Sequence, residues 1–136
     1  MAEIIIDGTN AIMGRLASSA AKDLLKGEKV HIVNAERIII TGDRLQIIND
    51  YLERRRRGSP HHGPFFPTRP DMIIRRCIRG MLPYKTNKGR KAFKNLRVSA
   101  SIPDDIKDAK TAAKKRINCD FVTVGEVAKA LGWRNT

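Results

Sequence analysis

Cysteine is scarce in this chain: Cys77 and Cys119 are the only two in 136 residues, far apart and without C-x-x-C spacing. A disulfide framework is thereby excluded, and a reducing compartment is expected. Long apolar runs are missing as well. The longest, such as Ile38-Ile39-Ile40, fall far short of the roughly 20 residues that a membrane-spanning helix needs. No charged-then-apolar signal segment opens the chain, because Asp7 and Gly8 interrupt it at once. The expectation is a soluble cytoplasmic protein with no membrane partner.

The machinery of catalysis is also lacking. No Ser/His/Asp set stands out, and no carboxylate pair lies near the basic part of the chain. An enzyme that acts on phosphates needs an acid, a base or a metal ligand in its pocket. Gly8 to Gly14, between a strand pattern and a helix pattern, invites a nucleotide-binding reading but breaks it. Five residues separate the glycines and Arg15-Leu16 follows, where a P-loop needs four and then Lys-Ser/Thr. A G-x-G-x-x-G run is absent. The helix start near Gly14 keeps one role, with Arg15 as a candidate for a single phosphate contact. His61-His62 has no nearby Cys or carboxylate to complete a zinc site, so loop contacts or hydrogen bonds to phosphate and ribose suit the pair better. No enzyme activity, cofactor, metal or small-molecule substrate is expected.

Acids are missing from one long window, and there the chain declares itself. Arg54 to Arg97 holds fourteen Lys/Arg against one acid, Asp71, while the remaining thirteen basic and thirteen acidic residues cancel. A neutral body with one cationic region is the footprint of a protein that binds a polyphosphate. Length and an apolar fraction of 41% fit one folded domain over residues 1–136, with a basic RNA-binding region at 54–97.

Periodicity gives the elements. Ile4 to Ile6 reads as a strand closed by Asp7-Gly8. Leu16, Ala17, Ala20, Ala21, Leu24 and Leu25 recur at helical spacing, with Gly27 to cap the end. Val30 to Val33, apolar apart from His31, suits a strand covered on both faces, as in a parallel sheet; His31 reads as a satisfied core histidine. Ile38 to Ile40 is a third strand. Asp43 is a candidate N-cap for a helix carrying Leu45, Ile48, Tyr51 and Leu52. Gly58 to Pro70, with four prolines and two glycines, is an irregular loop. Pro70 and Asp71 open a helix whose apolar stripe is Ile73, Ile74, Cys77, Ile78 and Met81, and whose cations Arg75, Arg76 and Arg79 lie opposite. Cys77 is a structural thiol on that stripe. Gly80 and Pro83 end the helix. Ala92, Phe93 and Leu96 anchor the basic segment from Lys85 to Lys94, and Leu96 to Ile102 alternates as a fourth strand. Ala109, Ala112 and Ala113 give a faint helical signal. Thr123 and Glu126 have capping-box spacing ahead of Val127, Ala128 and Leu131, closed by Gly132.

Within the basic window, Arg54, Arg55, Arg56 and Arg57 are the strongest feature. One or two arginines at a helix end complement its dipole; four in a row, running into a long loop, point to phosphate. Arg also grips phosphate oxygens with two parallel N–H bonds. Arg69, Arg75, Arg76, Arg79, Lys85, Lys88, Arg90, Lys91 and Lys94 extend the candidate set, with His61 and His62 in the loop. Arg75 also stands at the i, i+4 position to pair with Asp71. Phe65 and Phe66 suit either stacking on unpaired bases or packing the loop onto the body.

Several motifs together carry a family resemblance. Gly14-Arg15-Leu16-Ala17-Ser18, Val33-Asn34-Ala35-Glu36, Thr41-Gly42, and Arg79-Gly80-Met81-Leu82-Pro83 followed by Lys88-Gly89-Arg90 resemble the large-subunit ribosomal protein L-thirteen family. They run in the family's order from about Ile4 to Ser101, and Arg-Gly-Met-Leu-Pro is the most specific. Gly27-Glu28-Lys29 joins the first helix directly to the second strand, unlike the bacterial pattern. The run from Arg56 to Pro64 and the closing Leu131-Gly132-Trp133 are similar to the archaeal and eukaryotic form, and the short C-terminus to the archaeal one. The resemblance implies an α/β fold: a three-layer α/β/α sandwich around a small four-stranded, mostly parallel sheet, with a basic loop-helix extension. It also implies a structural role in binding large-subunit ribosomal RNA during assembly, beside neighbouring ribosomal proteins. Gly80 and Pro83 would then set the chain's shape beside RNA. A nucleotide-using enzyme and a DNA-compacting protein are the competing readings.

Overall fold

The computed structural model describes residues 3–58, 61, 63, 66–101, 110–111 and 120–134. Strand β1 (Glu3–Asp7) leads into helix α1 (Met13–Leu25) and back to strand β2 (Lys29–Val33), which pairs with β1 in parallel, Ile4 opposite Val30 and Ile6 opposite Ile32. Gly27 makes this return possible. Its φ of +92° admits the left-handed turn that ends α1 within two residues of the helix. The buried face of α1 is Leu16, Ala17, Ala20, Ala21 and Leu24, the stripe that its spacing predicts. Its alanines leave room for a neighbour, and α1 packs against helices α3 (Pro70–Met81) and α4 (Asn87–Lys94).

Strand β2 is central. Val30, His31, Ile32 and Val33 are all buried, as expected for a strand covered on both faces. The His31 ring meets Ser99 Oγ through Nε2 at 2.9 Å, so the core histidine is satisfied. Strand β4 (Leu96–Val98) lies parallel on one side of β2, and strand β5 (Lys110–Thr111) adds in parallel to the far edge of β1. The sheet order is β4-β2-β1-β5. The fold is therefore α/β, with helices packed over a small, mostly parallel sheet.

The membership of that sheet differs from expectation. The third strand, β3 (Ile39–Thr41), does not join it but pairs antiparallel with strand β6 (Phe121–Thr123) in a separate two-stranded sheet. The reason is length. Only five residues separate β2 from β3, and three of them form a 3-10 turn (Ala35–Arg37) behind Asn34 at φ 57°. A parallel crossover needs about a dozen. The fourth place falls instead to Lys110–Thr111, inside the stretch that carried a faint helical signal; Ala109, Ala112 and Ala113 lie outside the described residues. The fourth strand is also shorter than expected, ending at Val98, and Ile102 is outside the described residues.

Helix α2 (Arg44–Arg56) starts where Asp43 accepts a hydrogen bond from the Leu45 backbone N–H at 3.2 Å. Tyr51 is its one buried residue, with Ile47, Ile48 and Leu52 half-buried; Leu45, expected on the apolar stripe, is 71% exposed. Helix α5 (Val124–Ala130) carries the reciprocal capping box of Thr123 and Glu126 and packs on α2 and α3. Ile73, Ile74 and Ile78 of α3 are core; Met81, in its last turn, is exposed. No described helix is long and apolar enough to cross a membrane.

Candidate nucleic-acid interface

The arginine quartet divides by role once its surroundings are known. The Arg54 guanidinium lies over the Tyr51 ring, 5.0 Å from its centroid. Arg55 Nη1 donates to the Phe66 carbonyl at 2.6 Å, tying the loop to α2. Arg57, just past the helix end, pairs with Glu53 at 3.0 Å in an exposed i, i+4 bridge. Such a pair is worth about 0–1 kcal/mol, little enough to exchange for a phosphate. Arg56 is exposed and has no partner among the described residues.

Helix α3 presents its cations differently from the single face that its spacing suggested. Arg75 does not pair with Asp71. Its Nη1 donates to the Leu96 carbonyl at 3.2 Å, and its guanidinium lies 4.7 Å from the Phe93 centroid. Asp71, buried in the first turn of α3, is held instead by Arg69 at 3.1 Å. Arg79 lies over Tyr84 at 5.3 Å, so Arg75 and Arg79 turn towards α4. Arg76 turns the other way, over Phe66 at 5.1 Å, towards α2. Phe66 meets Tyr51 edge to face at 5.7 Å, and Tyr84 meets Phe93 likewise at 5.5 Å. The result is two aromatic pairs, each carrying two guanidinium groups. A ring within cation–π distance steadies a guanidinium at one place on the surface, and Arg75 also gives one of its donors to the Leu96 carbonyl.

Lys85, Lys88, Arg90, Lys91 and Lys94 are all exposed on or beside α4. His61 is exposed in the turn after α2; His62 and Phe65 lie outside the described residues. Phe66, by contrast, is half-buried against the core, so it packs the loop onto the body. Arg15 is exposed in the first turn of α1, far along the chain from the other cations. Among the described residues no three His, Cys, Asp or Glu side chains gather as metal ligands. Burial pushes the Cys77 thiol up from its ordinary value, and Arg54 partly offsets this. Such a thiol is a poor nucleophile at neutral pH. The Tyr51 phenol is raised for the same first reason.

The ring-borne cations come from two helices, Arg54 from α2 and Arg75, Arg76 and Arg79 from α3, while α4 adds exposed lysines and Arg90. Comparison with known proteins gives the family. A model of the family described as Ribosomal protein L13 matches residues 1–104. The chain belongs to the ribosomal protein L13 family. It is 43% identical to the large ribosomal subunit protein uL13 of Methanopyrus kandleri, over 96% of this chain and 87% of the relative. Against uL13 of Methanosarcina barkeri the identity is 44%, over 94% and 96%. Against that of Haloarcula marismortui it is 44%, over 99% and 94%. These relatives are ribosomal proteins and not enzymes, and so is this chain.

The most specific of the L13-like motifs has a physical explanation in the fold. Arg79-Gly80-Met81-Leu82-Pro83 ends α3, and Leu82 is buried. Thr86 caps α4, accepting from the Gly89 N–H at 3.2 Å and donating to the Pro83 carbonyl at 2.8 Å. A Cβ on Gly89 would stand 1.9 Å from that same carbonyl oxygen, so only glycine lets α4 close on the turn. Around Gly80, within the last turn of α3, a Cβ would meet nothing within 4 Å. Gly80 therefore does not terminate the helix, and no contact inside the described chain requires it. Sequence spacing offered a sign of one of the four guanidinium–ring contacts, with Tyr51 three residues before Arg54. The other three rest on tertiary contacts and left no local trace.

Proposed function

We propose that this protein is a structural constituent of the large ribosomal subunit, holding large-subunit ribosomal RNA through its basic face in the cytoplasm, during and after assembly. The single observation that carries the reading is the pair of aromatic platforms bearing Arg54, Arg76, Arg75 and Arg79. Around them, Arg55, Arg56, Arg57 and Arg69, with His61, would meet phosphate and ribose along the α2 side; His62, outside the described residues, belongs to the same candidate set. Lys85, Lys88, Arg90, Lys91 and Lys94 would do so along α4, with Arg15 as a separate single contact. Guanidinium groups held on rings at set positions favour a folded RNA of defined phosphate positions over a generic polyanion, because a flexible cation gains little from geometry. The names of the relatives support the subunit. The exposed apolar side chains Leu45 and Phe121, away from the basic window in sequence, suit contact with a neighbouring ribosomal protein.

The test is competition. The full chain is bound to a large-subunit ribosomal RNA transcript, and excess transfer RNA and duplex DNA are added. Retention of the ribosomal RNA supports the reading. Equal displacement by both competitors makes the basic face a generic polycation and returns the DNA-compacting alternative.

A further inference from the structure

Between α2 and α3 lies an open cleft of about 510 Å³. That is within the range of about 300–1,000 Å³ in which proteins hold small ligands. Its walls are apolar where Met13, Ile47 and Ile73 line it, and aromatic where Tyr51 and Phe66 do. Three charged groups also line it: Arg54, Arg76 and the carboxylate of Asp50. A purely apolar occupant would match the walls but would strip water from those charges without compensation. A mononucleotide unit of RNA carries what both parts ask for, a flat ring and an anion on either side of it. Bases turned out of a helix are commonly held in this way, between aromatic and apolar side chains with arginine near the backbone.

We infer that this cleft seats one unstacked RNA base, with the flanking phosphates on Arg54 and Arg76 and the base edge on Asp50. The inference rests on the RNA-binding reading above and adds a base-reading site to it. Asp50 sets the preference. A carboxylate only accepts hydrogen bonds, so it favours the exocyclic amino groups of adenine, cytosine and guanine. Uracil offers a single N–H between two carbonyl oxygens. The cleft should therefore discriminate against uracil.

The experiment uses the full chain with isotope-labelled Ile and Met methyl groups, titrated with three hexamers: oligo(A), oligo(U) and an abasic ribose-phosphate chain. Oligo(A) should shift the methyl signals of Met13, Ile47 and Ile73, oligo(U) should shift them less, and the abasic chain should leave them in place. Asp50→Asn should narrow the gap between oligo(A) and oligo(U). Ile47→Trp, which fills the cleft, should weaken oligo(A) binding about 5- to 150-fold and leave the abasic chain unaffected. Silent methyl groups at saturating oligo(A), or equal shifts with the abasic chain, would overturn the inference. If Ile47→Trp does not fold, the signals of the unaltered chain decide alone. A parallel titration with the large-subunit ribosomal RNA transcript separates the two readings. Binding of the transcript with silent cleft methyl groups removes the base site only. Failure to bind the transcript removes the RNA reading and the site with it.

Discussion

Two glycines a few residues apart should respond to alanine with opposite sign. At Gly89 the new Cβ would stand 1.9 Å from the Pro83 carbonyl oxygen, 2.3 Å from its carbon and 2.9 Å from the Tyr84 nitrogen. All three are backbone atoms, so relief requires α4 to move away from the turn that follows α3. Overpacking of this kind costs about 1–3 kcal/mol. The movement also strains the Thr86 cap, whose loss costs about 1 kcal/mol. Helix propensity returns about 0.5–1 kcal/mol. The net for Gly89→Ala is a destabilisation of about 1–3 kcal/mol, or a melting temperature lower by roughly 3–12 °C. At Gly80 nothing stands within 4 Å of the new Cβ, and the residue is helical. Gly80→Ala should therefore stabilise by about 0.5–1 kcal/mol. The assay is thermal unfolding of both variants beside the parent, followed by circular dichroism. A Gly89→Ala variant as stable as the parent, or a Gly80→Ala variant that melts lower, would refute the reasoning about the α3–α4 corner.

Gly80→Ala carries a second consequence: if RNA approaches the end of α3 closely, the stabilised variant should bind the ribosomal RNA transcript more weakly, which a binding isotherm measures directly. Neutralising three exposed cations in the combination Arg79→Gln, Lys88→Gln and Lys91→Gln should leave melting nearly unchanged. It should make the slope of log affinity against log salt shallower by roughly 2–3, as expected from the loss of three phosphate contacts; an unchanged slope removes these residues from the interface. Stability should also depend on alkaline pH. Cys77 and Tyr51 are acids raised above their ordinary values of 9.0 and 10.0, chiefly by burial. The unfolded chain therefore loses these protons first as pH climbs, and stability, intact below about pH 9, should fall above it. Urea denaturation between about pH 7.5 and 10.5 checks this, and Cys77→Ala should flatten the first part of the fall.

How much of this was legible in the sequence depended on the range of the interaction. Several local signals read correctly, although Arg75 did not take its i, i+4 partner Asp71 and Leu45 stands exposed. The Thr123–Glu126 capping box, the Asp43 cap, Pro70 at the start of α3 and the alanine-rich stripe of α1 each depend on neighbours within one or two turns. The buried character of β2 was legible because a strand covered on both faces has no polar alternation to hide. Sheet membership was not. Lys110–Thr111 is too short to signal a strand, and its pairing with Ile6 and Asp7 is set by contacts about a hundred residues away in the chain. The exclusion of β3 from the main sheet could have been foreseen from its five-residue link to β2. In the basic window, charge picks out the stretch that holds these cations, but helical spacing groups them wrongly. Helical spacing put Arg75, Arg76 and Arg79 together, whereas Phe66 draws Arg76 one way and Phe93 and Tyr84 draw Arg75 and Arg79 the other. Aromatic neighbours outside the helix, which helical spacing does not report, accompany each of these three guanidinium groups.

The central claim is that the face built from the end of α2, from α3 and from α4 is where RNA lies. Its most direct test is photo-crosslinking of the full chain to large-subunit ribosomal RNA, with the linked peptides identified by mass spectrometry. Crosslinks concentrated in residues 54–57 and 75–94, lost at high salt together with binding, are the result this account predicts. Crosslinks confined to α5 and the Ala35–Arg37 turn, with the basic helices untouched, would contradict it.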